Sequence, residues 1–403
     1  MTVWIIEPRD PLIVRDGRPF STIPGARAKT LPFPYPSTIA GGVRARAGQD
    51  ENGRFIAAIE DVLQIKVRGP FLVKTSSDHP PVFLAPAPAD ALLFPVNEVK
   101  GMADRKLLTP LPYPDGTASN LPDETLCPVG LPQPDPRKPL SKSPRFWCWP
   151  EFEQWLCQPQ SNRVKMADLG VAGPASDRRT HVGINPASQT GQDGALFMTS
   201  GLAFLHDQAP DRTLLTDIDP LGLAVKVENV PSPLSLTSGY APLGGERRLM
   251  LWRESTAPLP ELPDNLVQDV LDADGHCRLI LLTPAYFTAG WRPDWLLNKQ
   301  DKVQVTLKAA IVNTPQTISG WNFEDGKRGP KKTRRLAPAG SVYYLQLQGS
   351  EADVRYWLEN TIWLQAVSDK DAYRQSGFGL AAIGTWSNEA RKLRFKDKEG
   401  NHA

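Results

Sequence analysis

A glycine-rich segment, Gly377-Phe-Gly-Leu-Ala-Ala-Ile-Gly384, has the residue types of a phosphate-binding loop, because glycines let backbone amides approach an anion closely. It is not a P-loop, since Thr385-Trp386 stands where Lys and Ser or Thr are required. It does not fit a dinucleotide-binding turn, because only 19 residues follow Gly384, too few for the helix, strand and acid required. We expect the amides of Gly377, Gly379 and Gly384 to contact a sugar-phosphate chain, with a bulge in an edge strand as the alternative.

A second candidate is a basic loop within residues 326–350, a stretch that contains no acid. The Gly and Pro inside it favour a loop over a helix. Cations bind nucleic-acid phosphates and rings stack on bases, and Trp321, Phe323, Tyr343 and Tyr344 lie close by in the sequence. The pattern indicates a nucleic-acid surface, although a run of charges is also typical of an ordinary solvated surface. The basic residues of the loop are Lys327, Arg328, Lys331, Lys332, Arg334 and Arg335.

The charge distribution fits a local polyanion site on a nearly neutral protein. The 46 Lys and Arg almost balance the 44 Asp and Glu, for a net charge of +2. Residues 17–49 nevertheless contain no acid, whereas acids concentrate in other stretches such as residues 261–274. Such segregation is typical of a surface that binds a polyanion. The basic residues of the first stretch are Arg18, Arg27, Lys29, Arg44 and Arg46.

No residue pattern indicates a catalytic centre. His181 is the best-placed general base, but no second histidine or paired carboxylate lies near it in sequence, and a structural histidine is the commoner case. The signatures of serine hydrolases, zinc proteases and EF-hands are missing. The 11 tryptophans would suit a carbohydrate-binding protein, but Trp149, Trp155 and Trp357 fit core-facing positions. We expect neither an enzyme nor a cofactor.

The four cysteines indicate neither a zinc site nor a disulfide framework, because no C-x-x-C pair occurs and no histidine lies at ligand spacing. The N-terminus opens with an alternating strand pattern rather than a signal peptide, and no apolar run approaches the roughly 18 residues that span a bilayer. We expect a cytoplasmic protein with no membrane partner. The cysteines are Cys127, Cys148, Cys157 and Cys277.

A short helix positions part of the first basic stretch. Ser37 follows a proline and predicts an N-cap, and the apolar spacing predicts a helix from Thr38 to Ala47. Gly41 and Gly42 inside this helix indicate that another element packs closely against it. Farther along, two runs of β-type residues within 181–204 predict a hairpin with a long loop.

Proline is the outlier in the composition, at 40 of 403 residues, or about twice the usual fraction. Sixteen prolines lie in residues 70–145, where they exclude helices and long strands. A disordered linker is the alternative, but Phe71, Phe83 and Phe94 are among apolar residues too numerous for a solvated tether. We expect a long insertion folded onto the domain that carries it.

A second domain is predicted from about residue 238. Its elements include a helical turn around Trp295 and an amphipathic helix from Ala352 to Leu364. The resulting order, β-α-β-β-α-β, is that of a ferredoxin-like fold, and the first half fits the same order when the insertion is set aside. The strands are expected at residues 278–287, 303–312, 341–348 and 377–386.

Six sequence blocks lie between the first predicted strand and the last. They are Trp4-Ile-Ile-Glu-Pro-Arg-Asp-Pro-Leu-Ile-Val-Arg-Asp-Gly-Arg-Pro-Phe20, Leu31-Pro-Phe-Pro-Tyr-Pro-Ser-Thr-Ile-Ala-Gly-Gly-Val-Arg44, Pro242-Leu-Gly-Gly-Glu-Arg-Arg248, Pro315-Gln-Thr-Ile-Ser-Gly-Trp321, Arg335-Leu-Ala-Pro-Ala-Gly-Ser-Val-Tyr343 and Gly377-Phe-Gly-Leu-Ala-Ala-Ile-Gly384. Together they resemble the third subunit of the type III-B CRISPR effector complex, the Cmr (RAMP module) complex. The resemblance covers nearly the whole chain and is more specific than any single glycine loop.

The resemblance implies an α+β fold of two ferredoxin-like (RRM-like) RAMP domains with long loop insertions, at residues 1–237 and 238–403. It also implies a non-catalytic subunit that binds the 5′ repeat-derived tag of CRISPR RNA and docks the large polymerase-like subunit beside the backbone RAMP subunit. The helix start, the basic loop and the glycine loop are expected to form one RNA groove. The expected RNA-binding residues are Arg27, Lys29, Ser37, Arg44, Arg46, Arg247, Arg248, Lys327, Arg328, Lys331, Lys332, Arg334, Arg335, Gly377, Gly379 and Gly384.

Two other functions stay open at this point. A RAMP-superfamily endoribonuclease that processes CRISPR RNA would use His181 as a general acid or base. A purely structural adaptor would leave the RNA to another subunit of the complex.

Overall fold

The structure, a computed structural model, describes residues 2–15, 30–76, 79–96, 99–123, 125–206, 219–298, 302–322, 329–386 and 393. Five residues predicted for the RNA groove or its aromatic border lie outside these ranges, namely Arg27, Lys29, Phe323, Lys327 and Arg328. The helices are α1 (Pro36–Ala47), α2 (Ile59–Gln64), α3 (Trp149–Cys157), α4 (Met166–Leu169), α5 (Leu266–Asp272), α6 (Asp294–Leu297), α7 (Glu351–Tyr356) and α8 (Asp371–Gln375).

Strands outnumber helices, and the fold is a mixed α and β fold in which every strand pairing is antiparallel among the described residues. The strands of the first half are β1 (Thr2–Pro8), β2 (Lys66–Lys74), β3 (Val82–Pro86), β4 (Ala91–Pro95), β5 (Met102–Leu107), β6 (Thr109–Pro110), β7 (Val129–Gly130), β8 (Phe146–Cys148), β9 (Asn162–Lys165), β10 (Gly170–Val171), β11 (Ala175–Ile184), β12 (Gly191–Ala203), β13 (Leu205–His206) and β14 (Asp219–Glu228). The later strands are β15 (Gly239–Pro242), β16 (Leu249–Ser255), β17 (His276–Leu281), β18 (Gln304–Ile311), β19 (Gln316–Ile318), β20 (Trp321–Asn322), β21 (Gly329–Pro330), β22 (Arg334–Leu336), β23 (Val342–Gln348) and β24 (Ala381–Thr385).

The first large sheet has the order β10-β8-β3-β2-β14-β1-β16-β15, with β13 beside β14. Alternate residues of β1 face opposite sides, as the period of two in a strand requires. Trp4 and Ile6 are buried in one hydrophobic core with residues of α1, whereas Val3 and Ile5 are buried in a second core. This second core also contains most of the buried side chains of the C-terminal half. The first sheet therefore lies between α1 and the second half of the chain.

Helix α1 begins at Pro36, one residue before the predicted N-cap. Tyr35 is the N-cap, and Ser37 is exposed and makes no capping hydrogen bond, so the predicted cap is wrong. The physical reason is that proline suits the first helical position, where its fixed φ fits and its missing N–H costs nothing. The close packing predicted from the glycines is found at Gly42, where an added Cβ would lie 2.4 Å from Leu243 Cδ1.

Four neighbouring strands at the centre of the first sheet are β2, β14, β1 and β16, in that spatial order. Numbered by their order along the chain, they are the second, third, first and fourth of the four. The last of these, β16, pairs with β1 over Val3–Pro8 and Met250–Ser255. It follows residue 238, so two strands beyond the predicted domain boundary pair within the first sheet. The boundary itself stays a prediction.

Residues 70–145 fold into strands with buried apolar side chains. Strand β2 and strand β3 belong to the first large sheet, and β4-β5-β9 form a separate small sheet. The segment also contacts the second half of the chain, since Tyr344 Oη donates to the Leu108 carbonyl and the Ala89 amide donates to the Gly340 carbonyl at 2.8 Å. The segment therefore packs on the first sheet and also contacts the second half of the chain. Its buried apolar residues include Phe71, Phe83, Leu93, Phe94, Leu111 and Leu126.

The second large sheet has the order β18-β23-β17-β24, again second, third, first, fourth along the chain. Along the chain, helix α6 lies between β17 and β18. Helix α7 and a π-helical turn at Trp357–Ile362 lie between β23 and β24. The predicted order β-α-β-β-α-β is thus observed in this half. The amphipathic character predicted for residues 352–364 is confirmed, because Val354, Trp357, Leu358 and Ile362 are all buried on one side of this segment.

A buried ion pair joins the proline-rich segment to the second sheet. Arg278 of β17 and Asp90 between β3 and β4 pair with side-chain exposures of 1% and 0%. Trp155 Nε1 of α3 donates to the same carboxylate at 2.9 Å, and Arg278 Nε donates to the Thr385 carbonyl at 2.7 Å. Four separate segments of the chain therefore meet at one network of charge-assisted hydrogen bonds.

The predicted hairpin is present as the two-stranded ribbon β11-β12. Its strands are longer than predicted, and its turn is shorter, since Asn185 N already donates to the Thr190 carbonyl at 2.9 Å. Across the described ranges, no helix is both long and apolar enough to cross a membrane.

Candidate nucleic-acid interface

Three segments that the sequence analysis placed in one groove meet in the structure. Tyr35, at the start of α1, packs in one cluster with Leu336 of β22 and Phe378 of the glycine-rich segment. Tyr35 Oη also donates to the Thr317 carbonyl at 3.3 Å, and Arg44 Nη1 donates to Ser376 Oγ at 3.1 Å. The start of the helix, the basic loop and the glycine-rich segment therefore lie against one another.

A cavity of about 820 Å³ opens beside this meeting point. Phe33 and Phe146 lie on its wall with ring centroids 5.0 Å apart, and the Arg145 guanidinium lies 5.6 Å from the Phe146 ring. Thr333, which lies in the basic loop just before β22, also lines the cavity. Prolines from five regions of the chain complete much of the wall, namely Pro32, Pro34, Pro36, Pro70, Pro86, Pro144 and Pro284.

The basic loop folds into a short ribbon, β19-β22, in which Arg334 pairs with Ile318 and Arg335 with Thr317. Lys331, Lys332 and Arg335 are exposed, and among the described residues no acidic side chain forms an ion pair with any of the three. Their charges are available to a polyanion in solution.

Aromatic rings lie next to this ribbon. Tyr286 and Tyr373 stack with centroids 4.5 Å apart and planes 12° from parallel. Burial raises the pKa of Tyr373, and the neighbouring Arg334 partly offsets that rise by favouring the phenolate. Lys370 lies 5.6 Å from the centroid of Tyr286. The ribbon thus places cations beside an aromatic pair in which Tyr286 is buried and Tyr373 is partly exposed. Cations beside an accessible ring are typical of a surface that binds single-stranded nucleic acid.

The glycine-rich segment does not present its amides to a ligand, which corrects the prediction. Gly377, Phe378 and Gly379 are buried, and their amides donate to the carbonyls of Arg374, Tyr373 and Pro284 at 2.8–3.1 Å. Gly384 is buried within β24, where an added Cβ would lie 2.9 Å from Arg278 Nη2. These glycines allow close packing between elements, so the phosphate-facing role does not fit their positions.

The family follows from the sequence as a whole. A model of the family described as "CRISPR-associated protein (Cas_Cmr3)" matches residues 4–386. The chain belongs to this family. The resemblance drawn from the six sequence blocks is therefore confirmed.

Solved structures give two further likenesses to this Cmr3-family chain. One is a chain of "Cryo-EM structure of the Type III-B Cmr-beta bound to cognate target RNA and AMPPnP, state 1", with 14% identity, a TM-score of 0.44, and 85% of this chain and 86% of that chain covered. The other is a chain of "Cryo-EM structure of the Type III-B Cmr-beta bound to cognate target RNA", with 12% identity and the same TM-score and coverage. A search of curated proteins gives no significant match.

Other predicted cations of the Cmr3-family chain are already held by protein groups. Burial lowers the pKa of Arg44, whose guanidinium also donates to the Ile65 carbonyl at 3.0 Å. Arg46 does not line the cavity; it donates to the Thr237 carbonyl at 2.8 Å, and its guanidinium lies 5.8 Å from the centroid of the Trp252 ring. The cations that protein groups leave free at this candidate interface therefore lie on the basic ribbon rather than on α1.

A second pair of predicted cations lies on a 3₁₀ turn, Gly245–Arg247, whose first amide donates to the Ile13 carbonyl at 2.8 Å. Arg247 is exposed, whereas Arg248 forms an ion pair with Glu246 at 2.9 Å. Arg248 is therefore partly neutralised, and neither Arg247 nor Arg248 lines the cavity.

Two predicted stacking residues are in the core instead. Tyr343 and Tyr344 are fully buried, burial raises the pKa of both, and the Tyr343 hydroxyl donates to the Trp291 carbonyl at 2.8 Å. Three aromatic residues of the described ranges line the cavity, namely Phe33, Tyr35 and Phe146. The pairing of Phe33 with Phe146 was not predicted, because these two residues lie far apart in the sequence. The alternating prolines at 32–36 were the available signal for this wall.

His181 has no carboxylate partner among the described residues. Its Nε2 shares a hydrogen bond with Thr199 Oγ1 at 2.9 Å, and its ring stacks on Phe197 at 5.2 Å. The described residues contain no group of three or more His, Cys, Asp or Glu side chains that could hold a metal ion. Burial raises the pKa of Cys277 to about 12, which makes this thiol a poor nucleophile near neutral pH.

Replacing Gly377 by alanine should lower the free energy of unfolding by about 2 kcal/mol, because left-handed backbone is strained for residues with a Cβ. Gly377 has φ +87°, and the new Cβ would lie 2.6 Å from the carbonyl oxygen of Gly69 in β2. Gly41→Ala is the matched control, since its Cβ would meet nothing within 4 Å. The control should raise stability by about 0.5–1 kcal/mol in urea titrations. Equal effects of the two changes would contradict the role of Gly377 as a close contact between the halves.

Proposed function

We propose that this chain is a non-catalytic subunit of a type III-B CRISPR effector that binds the 5′ repeat-derived tag of CRISPR RNA. Its family membership supports the assignment to that kind of complex. The observation that carries the RNA proposal is the meeting of the α1 start, the basic ribbon and a cavity with aromatic walls at one place. In the same proposal, the chain docks the large polymerase-like subunit beside the backbone RAMP subunit.

The chemistry of the interface suits an irregular single strand. Lys331, Lys332 and Arg335 would neutralise phosphates and supply an affinity that falls with salt. A splayed base would enter the cavity and contact the rings of Phe33 and Phe146. Proline-rich walls would lose little conformational freedom when RNA binds, because their backbone is already restricted.

We infer also that each large sheet is the centre of a ferredoxin-like domain. In both, four antiparallel strands stand in the order second, third, first, fourth, which fits the β-α-β-β-α-β motif. The long insertion then falls between the second and third strands of the first motif, β2 and β14. The first motif lacks a described helix between β14 and β16, where the chain forms only β15 and the 3₁₀ turn.

The endoribonuclease alternative rests on His181, whose contacts supply no partner acid. Incubation of the purified protein with repeat RNA distinguishes the two functions, because the proposed function predicts intact RNA at all times. Cleavage that His181→Ala abolishes would establish the alternative.

Crosslinking tests the proposed function and the adaptor alternative together. CRISPR RNA with 4-thiouridine at successive tag positions is assembled with the full chain and its complex, then irradiated, and the crosslinked peptides are identified. Crosslinks are expected in residues 30–36, 143–146, 316–322 and 329–335, which border the cavity or belong to the basic ribbon and its neighbouring strands. Tag crosslinks confined to other subunits would overturn the proposal in favour of the adaptor.

A further inference from the structure

An exposed apolar patch follows the end of α1 in the chain, and none of its residues lines the cavity. Its four large side chains, Phe55, Ile56, Ile59 and Leu63, are 45%, 70%, 54% and 50% exposed. They lie within nine consecutive residues, and Ile59 and Leu63 share one face of α2 because they are four residues apart. Exposed apolar side chains grouped this closely mark a contact surface more often than chance.

The patch is held in place by its own hydrogen bonds, so its exposure belongs to a built surface. The amides of Ile56 and Ala57 both donate to the Gly48 carbonyl, at 2.9 and 3.2 Å. Asp50 Oδ1 accepts from the amides of Asn52 and Arg54 at 2.9 and 2.8 Å. An added Cβ on Gly48 would lie 2.5 Å from the Phe55 ring, so the turn is packed directly on the end of α1.

Charge around the patch selects the kind of partner. Four acids and a single base lie in residues 50–64, namely Asp50, Glu51, Arg54, Glu60 and Asp61. Such a border repels phosphates and so disfavours RNA and anionic lipid surfaces. It also disfavours a second copy of this chain, because a symmetric contact would bring the same acids face to face.

We propose that Phe55, Ile56, Ile59 and Leu63 form a docking surface for a protein subunit of the effector, one whose contact area is apolar and bordered by Lys and Arg. The choice of partner rests on the proposed function, whereas the surface itself rests on its exposure and charge. Helix α1 spans 12 residues, or about 18 Å, between the cavity at its start and the patch at its end. A partner on the patch would therefore leave the RNA interface free.

The test measures the affinity of the full chain for each purified protein subunit of its complex. Ile56→Asp should weaken binding to one subunit at least tenfold, because it places a charge in the apolar contact. Glu60→Lys should weaken the same interaction and reduce its dependence on salt. Tyr356→Asp and Glu359→Lys are matched controls on exposed positions elsewhere, with Tyr356 66% exposed, and should change affinity less than twofold.

Tag-RNA affinity and sedimentation are measured on the same proteins. The docking surface is supported if Ile56→Asp and Glu60→Lys weaken binding to one subunit but leave RNA binding and self-association unchanged. Unchanged binding to every subunit overturns it, as does a change confined to self-association or to RNA binding. Failure of the wild-type chain to bind tag RNA would instead count against the proposed function, so the two failures are distinguishable.

Discussion

Replacing Asp90 by alanine is expected to lower the free energy of unfolding by about 3–5 kcal/mol, since removing one partner of a buried ion pair leaves an uncompensated charge. Arg278 and Asp90 are 1% and 0% exposed, so water cannot solvate the guanidinium once the carboxylate is gone. The change would also remove the acceptor of Trp155 Nε1. Urea titration monitored by tryptophan fluorescence measures the loss.

The matched control for Asp90 is an exposed ion pair. Lys165 and Asp168 are 60% and 63% exposed and lie 3.3 Å apart, so Asp168→Ala should change stability by less than about 0.5 kcal/mol. If Asp90→Ala does not fold, Asp90→Asn keeps an acceptor for Trp155 and should show an intermediate loss. Equal effects at Asp90 and Asp168 would mean that the buried pair does not hold the proline-rich segment to the second sheet.

The double charge reversal Arg334→Glu and Arg335→Glu is expected to weaken tag-RNA binding at least about tenfold near 0.1 M salt, because each lost phosphate contact removes counterion release. The slope of log affinity against log salt should become shallower by roughly 0.7 for each lost contact with a single strand. Fluorescence anisotropy of labelled tag RNA across a salt series measures both quantities.

A control with the same change in net charge separates the interface from the general field of the protein. Arg292 and Lys302 are exposed, and each is paired with an acid, Asp294 and Asp353 respectively. Their joint reversal to Glu should leave the salt slope unchanged and alter tag affinity less than threefold. Equal losses from the two double variants would contradict a specific role for the basic ribbon.

Sequence periodicity predicted most elements of the C-terminal half. Strand β17 begins two residues before the strand predicted at residues 278–287, and β18, β23 and β24 lie inside their predicted ranges. The helical segment that follows β23 buries one face, as its amphipathic sequence predicts. Local patterning succeeds there because alternating and helical apolar spacing depend on neighbours in the sequence. The basic charge of the loop that forms β22 was likewise predicted, since segregation of charge is a property of the local sequence.

The glycine-rich segment and the neighbouring tyrosines could not be placed by the same reasoning. The carbonyl that accepts from the Gly379 amide belongs to Pro284, nearly a hundred residues earlier in the chain. Tyr343 and Tyr344 stand beside a basic loop in sequence, yet both lie in strand β23 at the centre of a sheet. Whether an amide or a ring is available to a ligand depends on burial by distant segments, which spacing does not encode.

The sequence by itself determined the family, the strand and helix order of the second half and the two acid-free basic stretches. Only the tertiary structure decided which cations remain free. Arg46 donates a hydrogen bond to the Thr237 carbonyl, whereas Lys331 forms no ion pair with an acid among the described residues. It also decided that the prolines of separate segments share one cavity wall. The physical reason is that composition sets the charge and stiffness of a segment, whereas long-range packing sets what that segment faces.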